Sequence, residues 1–144
     1  MKNWWKRYKK FRILTWSDKY LIIRIFFYIC LIKLGLVFLP FHKFRHWFNQ
    51  LFIGVSPKTY SDAYVEKVVW AVKAVSYNLP FSILCLPQAL ATKYLLRGDF
   101  MYKLTIGVNT ENQSFRAHAW VEKQQQIIIG DTPLTAYVPI WIWE

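Results

Sequence analysis

Cys85, His118 and Asp131 have the types and the order of residues that could do nucleophilic chemistry. A thiolate attacks a carbonyl carbon, but a free cysteine with a pKa of about 8.5 supplies little thiolate at neutral pH. A helix N-terminus and a neighbouring imidazole both raise that supply, and a carboxylate can hold the imidazole in one tautomer. Cys85 and His118 are 33 positions apart. Such a pair also arises by chance between a buried structural thiol and a strand histidine that satisfies a local hydrogen bond. Spacing alone leaves both readings open, so the choice between them falls to the elements that carry the residues.

"CLPQALATKYLLRG", from Cys85 to Gly98, is punctuated as a helix. Pro87 falls in its first turn, Ala89, Leu90, Ala91, Tyr94, Leu95 and Leu96 form an apolar body, Lys93 and Arg97 come late, and Gly98 stands just past the end. Cys85 is thereby predicted at a helix N-terminus. Beyond Gly98 the apolar period changes to two. "YKLTIGVN" alternates Leu104, Ile106 and Val108, and "FRAHAWVE" sets Ala117, Ala119 and Val121 against Arg116, His118, Trp120 and Glu122. "QQIIIGD" is a third strand candidate, with Asp131 on the face of Ile127 and Ile129, and "KQQQ" before it is a hairpin turn without the usual glycine. Strands joined by polar turns imply an antiparallel sheet. Glu122 shares the His118 face but lies four residues along the same strand, too far to orient the ring easily, so Asp131 is the preferred carboxylate. An odd shift in the glycine-free hairpin would change the face that Asp131 meets.

Upstream the sequence turns helical. "SDKYLIIRIFFYICLIKLGLVFLP" offers Ser17 or Asp18 as a cap and Pro40 as a stop, and Tyr20 to Leu39 is long enough to cross a bilayer. Arg24 and Lys33, nine positions apart, fall on opposite sides of such a helix, which favours a buried or interfacial helix over a span. "FHKFRHWFNQLF" continues as a short amphipathic piece whose His42 and His46, one turn apart, are better explained by a surface helix than by metal binding. Ser61 or Asp62 caps the next helix, Val65, Val68, Val69, Val72 and Val75 form its core stripe, and Asn78 and Pro80 end it.

Composition sets the outer bounds. The chain of 144 residues is 55% apolar and has room for one ordinary core. Residues 1–58 hold 12 Lys and Arg against the single acid Asp18, whereas 59–144 hold seven of each sign. We therefore divide the chain into a basic, apolar N-terminal helical region, 1–58, and a core that bears the chemistry, 59–144. A basic end attracts nucleic acid, anionic lipid or an acidic partner. Nucleic acid is the weakest of these, because no nucleic-acid-binding motif accompanies the charge and the aromatics are spaced like core residues. Trp4, Trp5 and Tyr8 among the first basic residues suit a peripheral membrane contact. Two cysteines, Cys30 and Cys85, are no disulfide framework, and no cleavage site follows the first apolar run, so a cytoplasmic protein with membrane association is expected.

The order helix-borne Cys85, strand-borne His118, next-strand Asp131 resembles the transglutaminase-like cysteine peptidases. More narrowly, "LPFSILCLPQALATKYLLRG", "LTIGV", "FRAHAWVE" and "IGD" are similar to the B proteins of lasso-peptide biosynthesis, in the protease half of their split form. The resemblance implies an α+β fold in which N-terminal helices pack with a papain-like core, the Cys85 helix lying against an antiparallel sheet. It implies Cys85 as nucleophile, His118 as general base and acid, and Asp131 as orienting carboxylate, with no cofactor and no metal. The implied substrate is a ribosomally made precursor peptide cut between leader and core. The implied partners are a separate leader-recognition protein and an ATP-dependent macrolactam cyclase. Two other readings remain: acyl transfer to an amine by the same triad, and a non-enzymatic membrane-associated scaffold.

Overall fold

Thr15 opens the first long helix, α1 (Trp16–Phe38), by accepting a hydrogen bond from the Asp18 backbone N–H at 3.2 Å, while its hydroxyl donates to Asp18 Oδ2 at 2.7 Å. The cap therefore lies ahead of the Ser17 or Asp18 expected, because Asp18 serves as the acidic first-turn partner of Thr15 instead. The computed structural model describes residues 9, 11–79, 84–110, 115–130 and 137–143. One stripe of α1, Leu21, Ile25, Ile29 and Ile32, is buried. Leu39 and Pro40 end the helix, and α2 (Phe41–Gln50) turns Phe44 and Phe48 into the core while His42 and His46 stay exposed.

Ser61 caps α3 (Asp62–Asn78) as expected, accepting from Tyr64 N–H at 3.3 Å. Its stripe of Val65, Val68, Ala71, Val72 and Val75 is buried, and Val69 lies at the margin. A fully buried valine on such a stripe contributes about 1.5–2 kcal/mol relative to exposure. α1, α3 and α4 (Cys85–Leu95) pack on one another. A single hydrophobic cluster joins Ile25, Phe44, Val68, Leu90, Leu104 and Val121, so residues on both sides of position 58 share one core. The Lys67 ammonium, 2.5 Å from Asp18, holds that carboxyl below its usual range and fastens α1 to α3.

Past α4 come β1 (Tyr102–Asn109), β2 (Arg116–Lys123), β3 (Gln126–Ile129) and β4 (Val138–Trp143), in the sheet order β3-β2-β1-β4 with every pair antiparallel. This is the α+β arrangement expected, with the Cys85 helix lying chiefly along β2. The edge strand β4 was not anticipated; Pro139 is tolerated there because an edge strand can spare a donor. Trp143 meets Phe48 edge to face at 5.2 Å and donates its indole N–H to Asn49 Oδ1, tying β4 to α2.

One correction concerns local geometry. The β2–β3 hairpin places Gln124 at φ 50° and Gln125 at φ 67°, a turn usually filled by Asn-Gly. A bulge interrupts the pairing beyond it, so that Ile127 stands opposite Glu122 and Ile129 opposite Val121. Ile127 and Ile129 therefore do not share a face as alternation suggested, since one extra residue reverses the pattern. Lys93 is the basic residue of the last turn of α4, as read, and it is also buried, its Nζ donating to Tyr102 O at 2.7 Å. That end of α4 is held further by Lys58 N–H donating to Gly98 O at 2.8 Å and by the Tyr60 hydroxyl donating to Arg97 O at 2.9 Å.

Candidate active site

Cys85 is the first residue of α4, preceded by Leu84 in an extended conformation at the N-cap. A leucine has no side-chain acceptor, and no side chain caps this end. Pro87 brings no N–H to the first turn, so the helix presents the N–H groups of Cys85 and Leu86 there. The thiol is half-buried against the core cluster. Its helix N-terminus is thus electropositive and carries no competing carboxylate in its first turn.

His118 stands on β2 opposite Gly107 of β1. Its Nε2 is 3.3 Å from the carbonyl oxygen of Gly130. A carbonyl can only accept, so Nε2 donates, and the lone pair of the neutral ring is left on Nδ1. Gly130 reaches this position at φ 94°, and a Cβ there would come within 2.6 Å of Ala119 O. Trp120, two residues along the strand, stacks beside the imidazole at 6.3 Å between centroids, and Tyr137 lies 5.5 Å from the imidazole and 6.4 Å from the indole, so the three rings form a triangle. The Trp120 indole is itself held by donating to Glu122 Oε2 at 2.9 Å.

Gly107 makes this aromatic corner fit. A Cβ on Gly107 would stand 2.8 Å from Trp120 Cη2 and 3.0 Å from Tyr137 Cβ. Trp120, Tyr137 and Gly107 were not singled out by sequence reasoning, although His118, Trp120 and Glu122 alternate on one face of β2 in a pattern readable at period two. Glu122, discounted as a direct partner of the ring, touches Trp120 instead.

Of the three residues expected to act together, two are placed. Cys85 and His118 lie on α4 and β2, which pack against each other, and no hydrogen bond joins the thiol to the ring. Such bonds are often long in free enzymes and tighten with substrate. Asp131 lies outside the described residues, as does "FSI" ahead of Leu84. Among the described residues no cluster of three or more His, Cys, Asp or Glu is arranged to hold a metal ion.

A family model described as the transglutaminase-like superfamily matches residues 35–142, about three-quarters of the chain. The chain belongs to the transglutaminase-like superfamily. Neither a curated protein nor a solved structure gives a match. The transglutaminase-like match begins inside α1 and includes α2. Membership is compatible with cysteine peptidase activity and with acyl transfer, the two chemistries that a thiol at this helix end could serve.

Proposed function

We propose that this protein is a cysteine peptidase that removes the leader from a ribosomally made lasso-peptide precursor, with Cys85 as nucleophile, His118 as base and acid, and Asp131 as orienting carboxylate. The observation that carries the proposal is Cys85 at the uncapped N-terminus of α4, packed on the strand that bears "HAWVE", within a transglutaminase-like chain. The tautomer set by Gly130 O leaves Nδ1 to take the thiol proton, and Asp131, directly after Gly130 in "IGD", would act from the Nε2 side of the ring.

In the proposed reaction His118 takes the proton of Cys85, and sulfur adds to the carbonyl carbon that joins leader to core. The oxyanion accepts from the backbone N–H of Cys85. The C–N bond breaks as the imidazolium returns its proton to the departing amine, which frees the core. The leader remains as a thioester on sulfur. Water, deprotonated by His118, then adds to the thioester carbon, the C–S bond breaks as the imidazolium returns its proton to the Cys85 sulfur, and the leader leaves with a free carboxylate. A separate leader-recognition protein raises the local concentration of the precursor, and an ATP-dependent macrolactam cyclase uses the newly exposed core amine.

The test is to incubate the protein with the precursor and its recognition partner and to read masses. The expected products are a leader ending in a carboxylate and a free core. Cys85→Ala is expected to lower cleavage at least about a thousandfold while the protein remains folded. Undiminished cleavage by that variant would overturn the mechanism. A leader joined to an added amine in place of water would identify acyl transfer, and an inert wild-type protein would leave the scaffold reading.

A further inference from the structure

α1 has a second apolar face that the fold does not use. Trp16, Tyr20, Ile23, Phe27, Leu34 and Phe38 are all exposed, Trp16 at 85% and Phe38 at 76%. At 3.6 residues per turn they fall within about 40° of one line along the helix, opposite the buried stripe. Arg24 and Lys19 lie about 70° to either side of this line, and Lys33 about 110° from it. Two of the cations are held against its aromatics: Lys19 Nζ is 5.2 Å from the Trp16 ring, and the Arg24 guanidinium is 5.5 Å from that of Tyr20.

The surrounding charge is of one sign. Asp18, the sole acid in residues 1–58, is turned towards Lys67 of α3, so the N-terminal region has no second acid of its own to offset its cations. We propose that this face of α1 docks on an anionic lipid surface, with α1 lying in the plane of the interface. The apolar line enters the acyl boundary while the cations on its margins meet lipid phosphates, and the tryptophan and tyrosine rings sit at headgroup depth. A second copy of the chain is a poor occupant, because apposing two such faces brings together two regions of 12 cations and one acid. α1 is long and apolar enough to cross a bilayer, but an in-plane orientation is the one that keeps Leu21, Ile25, Ile29 and Ile32 in the core with α3 and α4.

Co-sedimentation of the full chain with vesicles of phosphatidylcholine alone, or of phosphatidylcholine mixed with phosphatidylglycerol, tests this. Binding is expected to the anionic vesicles only, and to weaken with salt. Phe27→Glu together with Leu34→Glu should lower it at least tenfold with an unchanged thermal midpoint, and Lys19→Gln and Lys33→Gln should each lower it roughly fivefold. In the wild-type chain anionic vesicles should also slow alkylation of Cys30, on the same side of α1, by a water-soluble maleimide, a readout that does not depend on the folding of any variant. Equal binding to both vesicle types, undiminished binding by the Phe27→Glu, Leu34→Glu chain, or unprotected Cys30 would overturn the proposal. So would a wild-type dimer that these two substitutions dissociate.

Discussion

Helices α3 and α4 lie side by side in one core and treat their N-termini in opposite ways. α3 begins with Ser61, whose hydroxyl accepts from Tyr64 N–H, and carries Asp62 in its first turn. α4 begins after Leu84, with no side-chain cap and no acid in its first turn. A serine cap is worth about 1 kcal/mol over an apolar residue. α4 persists without one because Ala89, Leu90, Ala91 and Leu95 are buried on its inner face. A helix meant only to pack would gain from a cap. A helix whose first N–H groups must face a thiolate and an oxyanion would be spoiled by one, and that difference separates a structural end from a reactive one.

Exchanging the two ends tests the contrast, and the variants are ordered by expected effect. Cys85→Ala should remove cleavage while changing unfolding free energy by only about 1 kcal/mol, since the thiol is half-buried, as tracked by product mass and thermal unfolding. Gly107→Ala, on the sheet side, should destabilise the fold by about 1–3 kcal/mol and slow cleavage roughly tenfold or more, because its Cβ drives Trp120 away from its place beside His118. Wild-type kinetics with a displaced indole would separate Trp120 from the chemistry.

Leu84→Asp should do to α4 what Ser61 and Asp62 do for α3. The side chain at position 84 is 70% exposed, so its loss takes nothing from the core, and the new carboxylate should stabilise the helix by about 0.5–1 kcal/mol. The same anion repels negative charge on the neighbouring sulfur and should shift the acid limb of the pH–rate profile to higher pH. An unmoved profile would show that the open end has no part in the reaction. Ser61→Ala should cost about 1 kcal/mol in chemical denaturation and leave the rate constant alone.

Punctuation was the most readable feature of the sequence. Ser61 and Asn78 bounded α3, and Pro87 with Gly98 framed the Cys85 helix, because caps and breakers act within a turn of where they stand. Period-two alternation found β1 and β2 and put His118 and Trp120 on one face. Features set by tertiary contact were not readable. Nothing around Lys93 marks the Tyr102 carbonyl as its buried acceptor, and the bulge beyond Ile127 is invisible in a run of three isoleucines. β4 escaped notice because Val138–Trp143 is held by pairing with β1 and by Trp143 against α2, neither of which is local in sequence. In the site, "HAWVE" announced the histidine, but its partner Gly130 O is a backbone atom, and backbone atoms leave no mark in composition.

The far end of α4 gives the helix the character of a lever. Lys58, Tyr60 and Tyr102 fasten the stretch from Lys93 to Gly98 through three hydrogen bonds, while Cys85 stands eleven residues back along the axis, about 16 Å at 1.5 Å per residue. A tilt of about 4° about that pivot carries sulfur through about 1 Å, a displacement on the scale that governs near-attack geometry. On the proposed reaction, Tyr60 would therefore help to hold the aim of the thiol from the far end of α4.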